Sequence, residues 1–468
     1  VRRPCGAPRW HLGLQRHQGF AVPASSTSIS PSWPQRLSSA AVFLIPALAL
    51  WLPSGYSWGA ALLLLGALCS LQHWPRMPVD ASTRWLAAAM VLMGLVWIFL
   101  SDPAEGLGRW DRPIKFLLAL PCLFFAAAYP ANPRALFWGV LLGCLGAGGI
   151  ALWQVFLLDY WRATGTTNAI QYGNLALQLA VMLAALSCGT LLTRGRWARP
   201  QQRGLMALAM LAILAGCMAS VLSLSRGGWL ALLLALPLAL ALARNARPAL
   251  ALGLGGAFLA SMTMVVVAKP HMLNERWQRT VGEVAQFEAR HGADSSIGQR
   301  LEHWRLAWDM GLEKPLLGWS VPGYMQEKLL RVQAGQYRPA ILKYQHVHNE
   351  VLDVFVKTGL TGVAVLGFFY LAPLCVFWPR RNGQAHPDGS SGPRLQALQA
   401  QQRALELAGL SLPVMFAGYG ITQVFYAHNS GIMFYLFMTI AVWSCLRGVR
   451  QQIVQLTPSG PVAPAATP

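Results

Sequence analysis

The string QHVHNE, from Gln345 to Glu350, closes the long polar segment that runs from Lys269 to Asn349, and apolar residues resume at Val351. A water-exposed segment that ends this way delivers two histidines, an asparagine and a glutamate to the mouth of an apolar helix. His346 and His348 are two apart, so they share a face on an extended lead-in, while His348, Asn349 and Glu350 would begin the helix. A helix start with free backbone N–H groups also favours anions. Spacing alone leaves three readings open. One is a histidine acting as general base or positioning group on a hydroxyl, with its neighbours fixing tautomer and approach. The others are a polar cap at an interface and a metal site through the His-x-His pair.

Outward from this string the chain is a series of apolar runs. It is 55% hydrophobic and 12% charged over 468 residues, with a mean hydropathy of +0.42, which indicates an all-α polytopic membrane protein rather than a soluble fold. About twelve runs approach the roughly 20 residues that a bilayer-spanning helix needs. Nine fall within 36–268 and three within 348–450, with a partly helical loop region at 269–347 between them. Residues 1–35 lack any acid and any signal-like apolar core, and they read with 451–468 as disordered tails. The eight cysteines never form a CxxC, so neither a disulfide framework nor a zinc site is signalled. The net charge of +20 is not gathered into one basic domain, so no nucleic-acid partner is expected. It follows topology instead. With both termini inside, the inner connections hold Arg194, Arg196, Arg199 and Arg203, Arg244 and Arg247, and Arg447 and Arg450. The short outer loops hold only Arg109, Arg112, Lys115, Arg162 and Arg226, which places the 269–347 loop outside.

Polar groups recur at the outer ends of the runs. SLSRGGW, Ser223 to Trp229, reads as a tight turn in which Gly227 and Gly228 permit close backbone approach. Arg226 stands at the interface, able to grip a phosphate with both prongs or to snorkel to headgroups. Within the loop, SSIGQRLEHWRLAWDM from Ser295 to Met310 puts Ile297, Leu301, Trp304 and Trp308 on one stripe of an amphipathic helix that lies on the bilayer or caps the bundle. Arg300 flanks that stripe, EKPLLGW follows as a turn from Glu313 to Trp319, and Arg338 and Lys343 lead to His346. Several cations facing few acids suit a substrate with more than one phosphate; a solvated charged face is the plainer reading. GTTNAIQYGN, Gly165 to Asn174, and TQVFYAHNS, Thr422 to Ser430, either line a sugar cavity or form ordinary interfacial turns. No Walker, GxSxG or HExxH motif is present.

Taken in order, the SLSRGGW turn, the SIGQRLEHWRLAW and KPLLGW stretches and HVHNEVLDVFVKTGLTG resemble the O-antigen ligase and polymerase superfamily, and within it the ligases most. The resemblance implies a GT-C-like fold and inverting glycosyl transfer without a metal or other cofactor. The donor would be an O-antigen on undecaprenyl pyrophosphate, the acceptor a sugar hydroxyl of lipid A-core, and the place the periplasmic face of the bacterial inner membrane. It assigns His348 as the essential histidine and Arg226 and Arg300 as pyrophosphate-binding arginines, with His346 and Arg338 as weaker candidates. Two alternatives stand beside the ligase. One is an O-antigen polymerase or protein O-oligosaccharyltransferase. The other is a non-enzymatic transporter of lipid-linked glycan, which should carry ionisable groups near mid-membrane; Lys357 comes nearest to that.

Overall fold

The computed structural model describes residues 32–101, 103–191, 200–243, 249–271, 274–275, 277–278, 281, 296–379 and 392–457. The expected tails lie outside these residues except at their inner edges, where the first helix begins at Trp33 and the last ends at Leu456. Glu283, Glu288 and Arg290 of the loop, and residues 380–391 of the inner connection, also lie outside.

Among the described residues all regular structure is helical. Each of the apolar runs overlaps a helix: α1 (Trp33–Leu48), α2 (Tyr56–Cys69), α3 (Ala81–Leu100), α4 (Asp111–Ala128), α5 (Pro133–Leu152), α6 (Ala169–Leu191), α7 (Pro200–Leu222), α8 (Arg226–Ala243) and α9 (Ala249–Ala268). After the loop helices α10 (Ser296–Glu313) and α11 (Ser320–Gln333) come α12 (Glu350–Phe377), α13 (Pro393–Gly420) and α14 (Asn429–Leu456). Six helices among the described residues are long and apolar enough to cross a membrane: α3, α5 with its π-turn extension to Leu157, α6, α7, α12 and α14. The polytopic membrane character read from composition is therefore present in the fold.

Packing places α6 and α14 at the centre, where 83% and 89% of their apolar windows are buried. α6 lies against α7 and α13, α1 against α2 and α5, α3 against α4 and α12, and α8 against α13. Helices uniformly apolar around their circumference must be covered by other helices or by lipid. Ion pairs close the end of α14 that lies about 30 Å along the helix from His428. There Arg447 pairs with Asp80 at 2.8 Å, and Arg450 pairs with the buried Glu406 at 2.9 Å.

The loop has a core of its own. Leu306, Ala307 and Met310 of α10 pack with Tyr324 and Val332 of α11, Ile341, Val347 and Val356. The buried face of α10 is thus His303, Leu306, Ala307 and Met310, not the expected stripe. Of that stripe Trp304 packs partly against this core, while Trp308 is 53% exposed. The reason is compositional: the buried face holds small and aliphatic residues that fit against α12 and the short helix before it, and the broad indole of Trp308 is left outside.

α12 is two helices. Gly359 (φ 66°, ψ −162°) breaks it, and the KPLLGW turn fills the break: Leu360 N–H donates to Pro315 O at 2.7 Å and Trp319 N–H to Val356 O at 2.9 Å. A Cβ at Gly359 would collide with the Leu316 backbone. Lys357 lies before this break and pairs with Asp353 through both carboxylate oxygens at 2.8 Å.

Candidate functional site

Four segments converge above the ends of α6, α8 and α13. The first is the start of α8. Ser225 donates its hydroxyl to Asn174 Oδ1 of α6 at 3.0 Å, and any side chain at Gly227 or Gly228 would collide with Thr422 or with Asn174. The two glycines therefore let the helix start press against α6 and the turn before α14, which carries Arg226 to the same place. Leu224, just ahead, has φ 55°, a conformation that non-glycine residues adopt only under constraint.

The second segment is α10, which supplies Gln299, Arg300 and His303 within two turns. His303 is fully buried, and its Nε2–H donates to Ile341 O at 2.7 Å, an acceptor that fixes the tautomer and leaves Nδ1 bare.

The third is the approach to α12. His348 also takes a left-handed backbone, φ 58°, which breaks the extended alternation expected from its spacing with His346. Three buried charges hold this approach from beneath. Lys328 Nζ donates to Tyr344 O at 2.6 Å, Lys357 Nζ to Gln345 O at 3.3 Å, and Val347 N–H donates to Asp353 Oδ1 at 3.0 Å. Burial lowers Lys328 to about 8, with Lys357 adding to the effect and Asp353 opposing it. Asn349 caps α12 through Leu352 N–H at 3.0 Å and donates to Ile421 O at 3.2 Å. Buried Glu350 accepts from Phe425 N–H at 2.5 Å and Tyr426 N–H at 3.2 Å. The asparagine and glutamate of QHVHNE thus bind the fourth segment, the turn before α14, which brings Thr422.

Between these segments lies a cavity of about 310 Å³. Arg226, Arg300 and His348 all line it, together with Arg162, His303 and Tyr344 among others, and no carboxylate is among its lining residues. His346 and Arg338 are not in the wall. His346 stands behind His348, ring centres 4.4 Å apart, and reaches toward His428 at 5.8 Å. Arg338 enters the short 3-10 helix Pro339–Lys343 and donates its backbone N–H to Glu302 Oε1 at 3.4 Å.

The electrostatics follow from burial beside cations. Desolvation lowers His348 to about 3, helped by His346, Arg300, His303 and His428. Desolvation likewise lowers His303 and His428 to about 4 and shifts His346 downward. All four imidazoles are therefore neutral at neutral pH. Among the described residues no three His, Cys, Asp or Glu side chains are grouped to hold a metal ion.

Sequence reasoning passed over His303, Tyr344, Gln299 and Lys328, and gave Arg162 no role beyond topology. The signal for His303 was its place three residues after Arg300 on one helix. Tyr344 continues the alternation Tyr344, His346, His348. Lys328 left no signal, since a lysine on a polar helix reads as solvated.

Residues 211–367 match the protein family described as O-antigen ligase. That segment contains the SLSRGGW turn, α10 and the QHVHNE string. The chain is also 25% identical over 332 residues to an uncharacterized protein of Haemophilus influenzae, a match covering 71% of this chain and 78% of that one.

Proposed function

We propose that this chain, whose residues 211–367 match the O-antigen ligase family, is a glycosyltransferase of the ligase and polymerase superfamily acting at the outer face of the bacterial inner membrane. It moves a glycan from undecaprenyl pyrophosphate to a sugar hydroxyl of lipid A-core. The path of twelve spans, with the 269–347 loop in the periplasm, belongs to the same proposal and rests on the distribution of arginine. The observation that carries it is the sharing of one cavity by Arg226, Arg300 and His348.

The chemistry divides among these groups. The donor's anomeric C–O bond breaks with its electron pair leaving on the pyrophosphate, and the acceptor oxygen attacks the opposite face, which inverts the configuration. Arg226 and Arg300 hold the diphosphate and offset the negative charge that grows on it, the role a divalent cation plays in other transferases. The start of α8 adds backbone N–H groups aimed at an anion. His348, neutral because it is buried and stands beside Arg300, takes the hydroxyl proton as attack proceeds. The activated donor supplies the driving force.

The deciding experiment supplies purified protein with lipid-linked glycan and lipid A-core in the presence of chelator. Product should form with chelator present, and Arg226→Ala or Arg300→Ala should lower kcat/KM by roughly 10²-fold or more. Loss of product on chelation would overturn the two-arginine account. Replacing lipid A-core by a second donor glycan or by an acceptor protein tests the polymerase and protein-glycosylating alternatives in the same assay.

A further inference from the structure

The KPLLGW turn, Lys314 to Trp319, lines no part of the cavity. Its leucines are uncovered, Leu316 at 66% and Leu317 at 74% exposure. Two more apolar side chains, Trp308 and Leu312, continue the same surface back along α10 at steps of four residues and are also exposed. A contiguous apolar surface of this kind marks a place of contact.

The backbone fixes where the turn lies. Leu360 and Thr361 donate their N–H groups to Pro315 O and Leu316 O at 2.7 and 3.3 Å, and the Thr361 hydroxyl also donates to Leu316 O at 3.1 Å. The tip is therefore tied to the first turn of the second half of α12. That half, Leu360 to Phe377, is about 27 Å long at 1.5 Å per residue, close to the roughly 30 Å thickness of a hydrocarbon core. Leu360 then falls at the outer boundary between acyl chains and headgroups, and so does the tip bonded to it. Leu360 is itself exposed, so the apolar face of the span and that of the tip are continuous. Lys314 Nζ stands 3.6 Å from the centre of the Trp319 ring. A long-stemmed cation and an indole beside an apolar tip is the combination that suits a membrane interface.

We infer that the Lys314–Trp319 turn, with Trp308 and Leu312, is immersed in the outer leaflet of the bilayer, so that lipid is its partner. The contact itself does not depend on the proposed chemistry. Its consequence does: a lipid-anchored tip sets the height of α10 and with it the height of Arg300.

The test places a bimane label on Leu317→Cys in the full chain, with the other cysteines replaced, reconstituted in phosphatidylcholine and phosphatidylglycerol vesicles. A label on Gln336→Cys, at an exposed polar position in the turn after α11, is the reference. Bromine carried on the acyl chains should quench the 317 label at least about threefold more than the 336 label, and aqueous iodide should do the reverse, because bromine sits at hydrocarbon depth. A 317 label that iodide reaches as readily as the reference overturns the inference. So does one shielded from both quenchers, the pattern a covering protein would give. Leu312→Cys gives the same reading if the first variant does not accumulate. No transfer activity is read, so the outcome stands apart from the fate of the proposed function.

Discussion

His348 concentrates the cost of the proposed site in one residue: a left-handed backbone and an imidazole kept neutral among cations. A non-glycine residue in this region carries about 1 kcal/mol or more of strain, and asparagine tolerates it best. His348→Asn should therefore raise stability by about 1 kcal/mol in a detergent unfolding titration, while the loss of a general base lowers kcat by roughly 10²- to 10⁴-fold. A variant both active and less stable would refute this. The histidines also set a pH dependence. Their folded values lie below the unfolded one near 6.5, so the unfolded chain binds more protons between about 6.5 and 4. Stability must then fall as pH drops through that window, and the thermal midpoint at pH 5 should lie below that at pH 7.5. His303→Phe, which removes a group lowered to about 4, should shrink the difference. At this scale the sequence was legible where polar residues sit in apolar surroundings, as with Arg226 and His348. It was illegible for His303 and Lys328, whose burial depends on which face of a loop helix meets its neighbour.

α10 and α12 show why elements were read less well than residues. The Leu and Trp stripe of α10 has helical period, which locates a helix but does not say whether protein or something else covers the apolar face. α12 read as one apolar run because Gly359 between Thr358 and Leu360 resembles any helical glycine. Only the KPLLGW turn, far off in sequence, makes it a break. Beneath the His348 approach, Lys328→Met removes the donor to Tyr344 O, and an unsatisfied buried carbonyl costs about 1–3 kcal/mol. The expected result is a matching loss of stability in the detergent titration and a lowered kcat at nearly unchanged KM for the donor, since Lys328 holds the segment without lining the cavity. An unaltered kcat in a folded Lys328→Met protein would show that the segment keeps its place unaided.

At the scale of the whole molecule, composition and run lengths sufficed to foresee an all-helical membrane protein, because apolar helices without charged faces have few other uses. Which helices sit at the centre depended on packing that no single run encodes. The ion pairs at the end of α14 away from the cavity are part of that packing. Arg450→Met would strand Glu406, a buried carboxylate that also accepts from Gln402 at 2.8 Å, and should cost about 3 kcal/mol of unfolding free energy. The same change should leave the donor KM intact, because the site lies about 30 Å away along the helix.

Glu350 clasps the turn before α14 through two backbone N–H groups, and that turn carries Thr422 on the opposite wall of the cavity. A carboxylate that never meets a sugar thus governs the spacing between two sides of the pocket. In any random mutational survey scored by lost product, its substitutions will be counted with those of His348, and only the melting behaviour of the purified variants will tell the hinge pin from the tool.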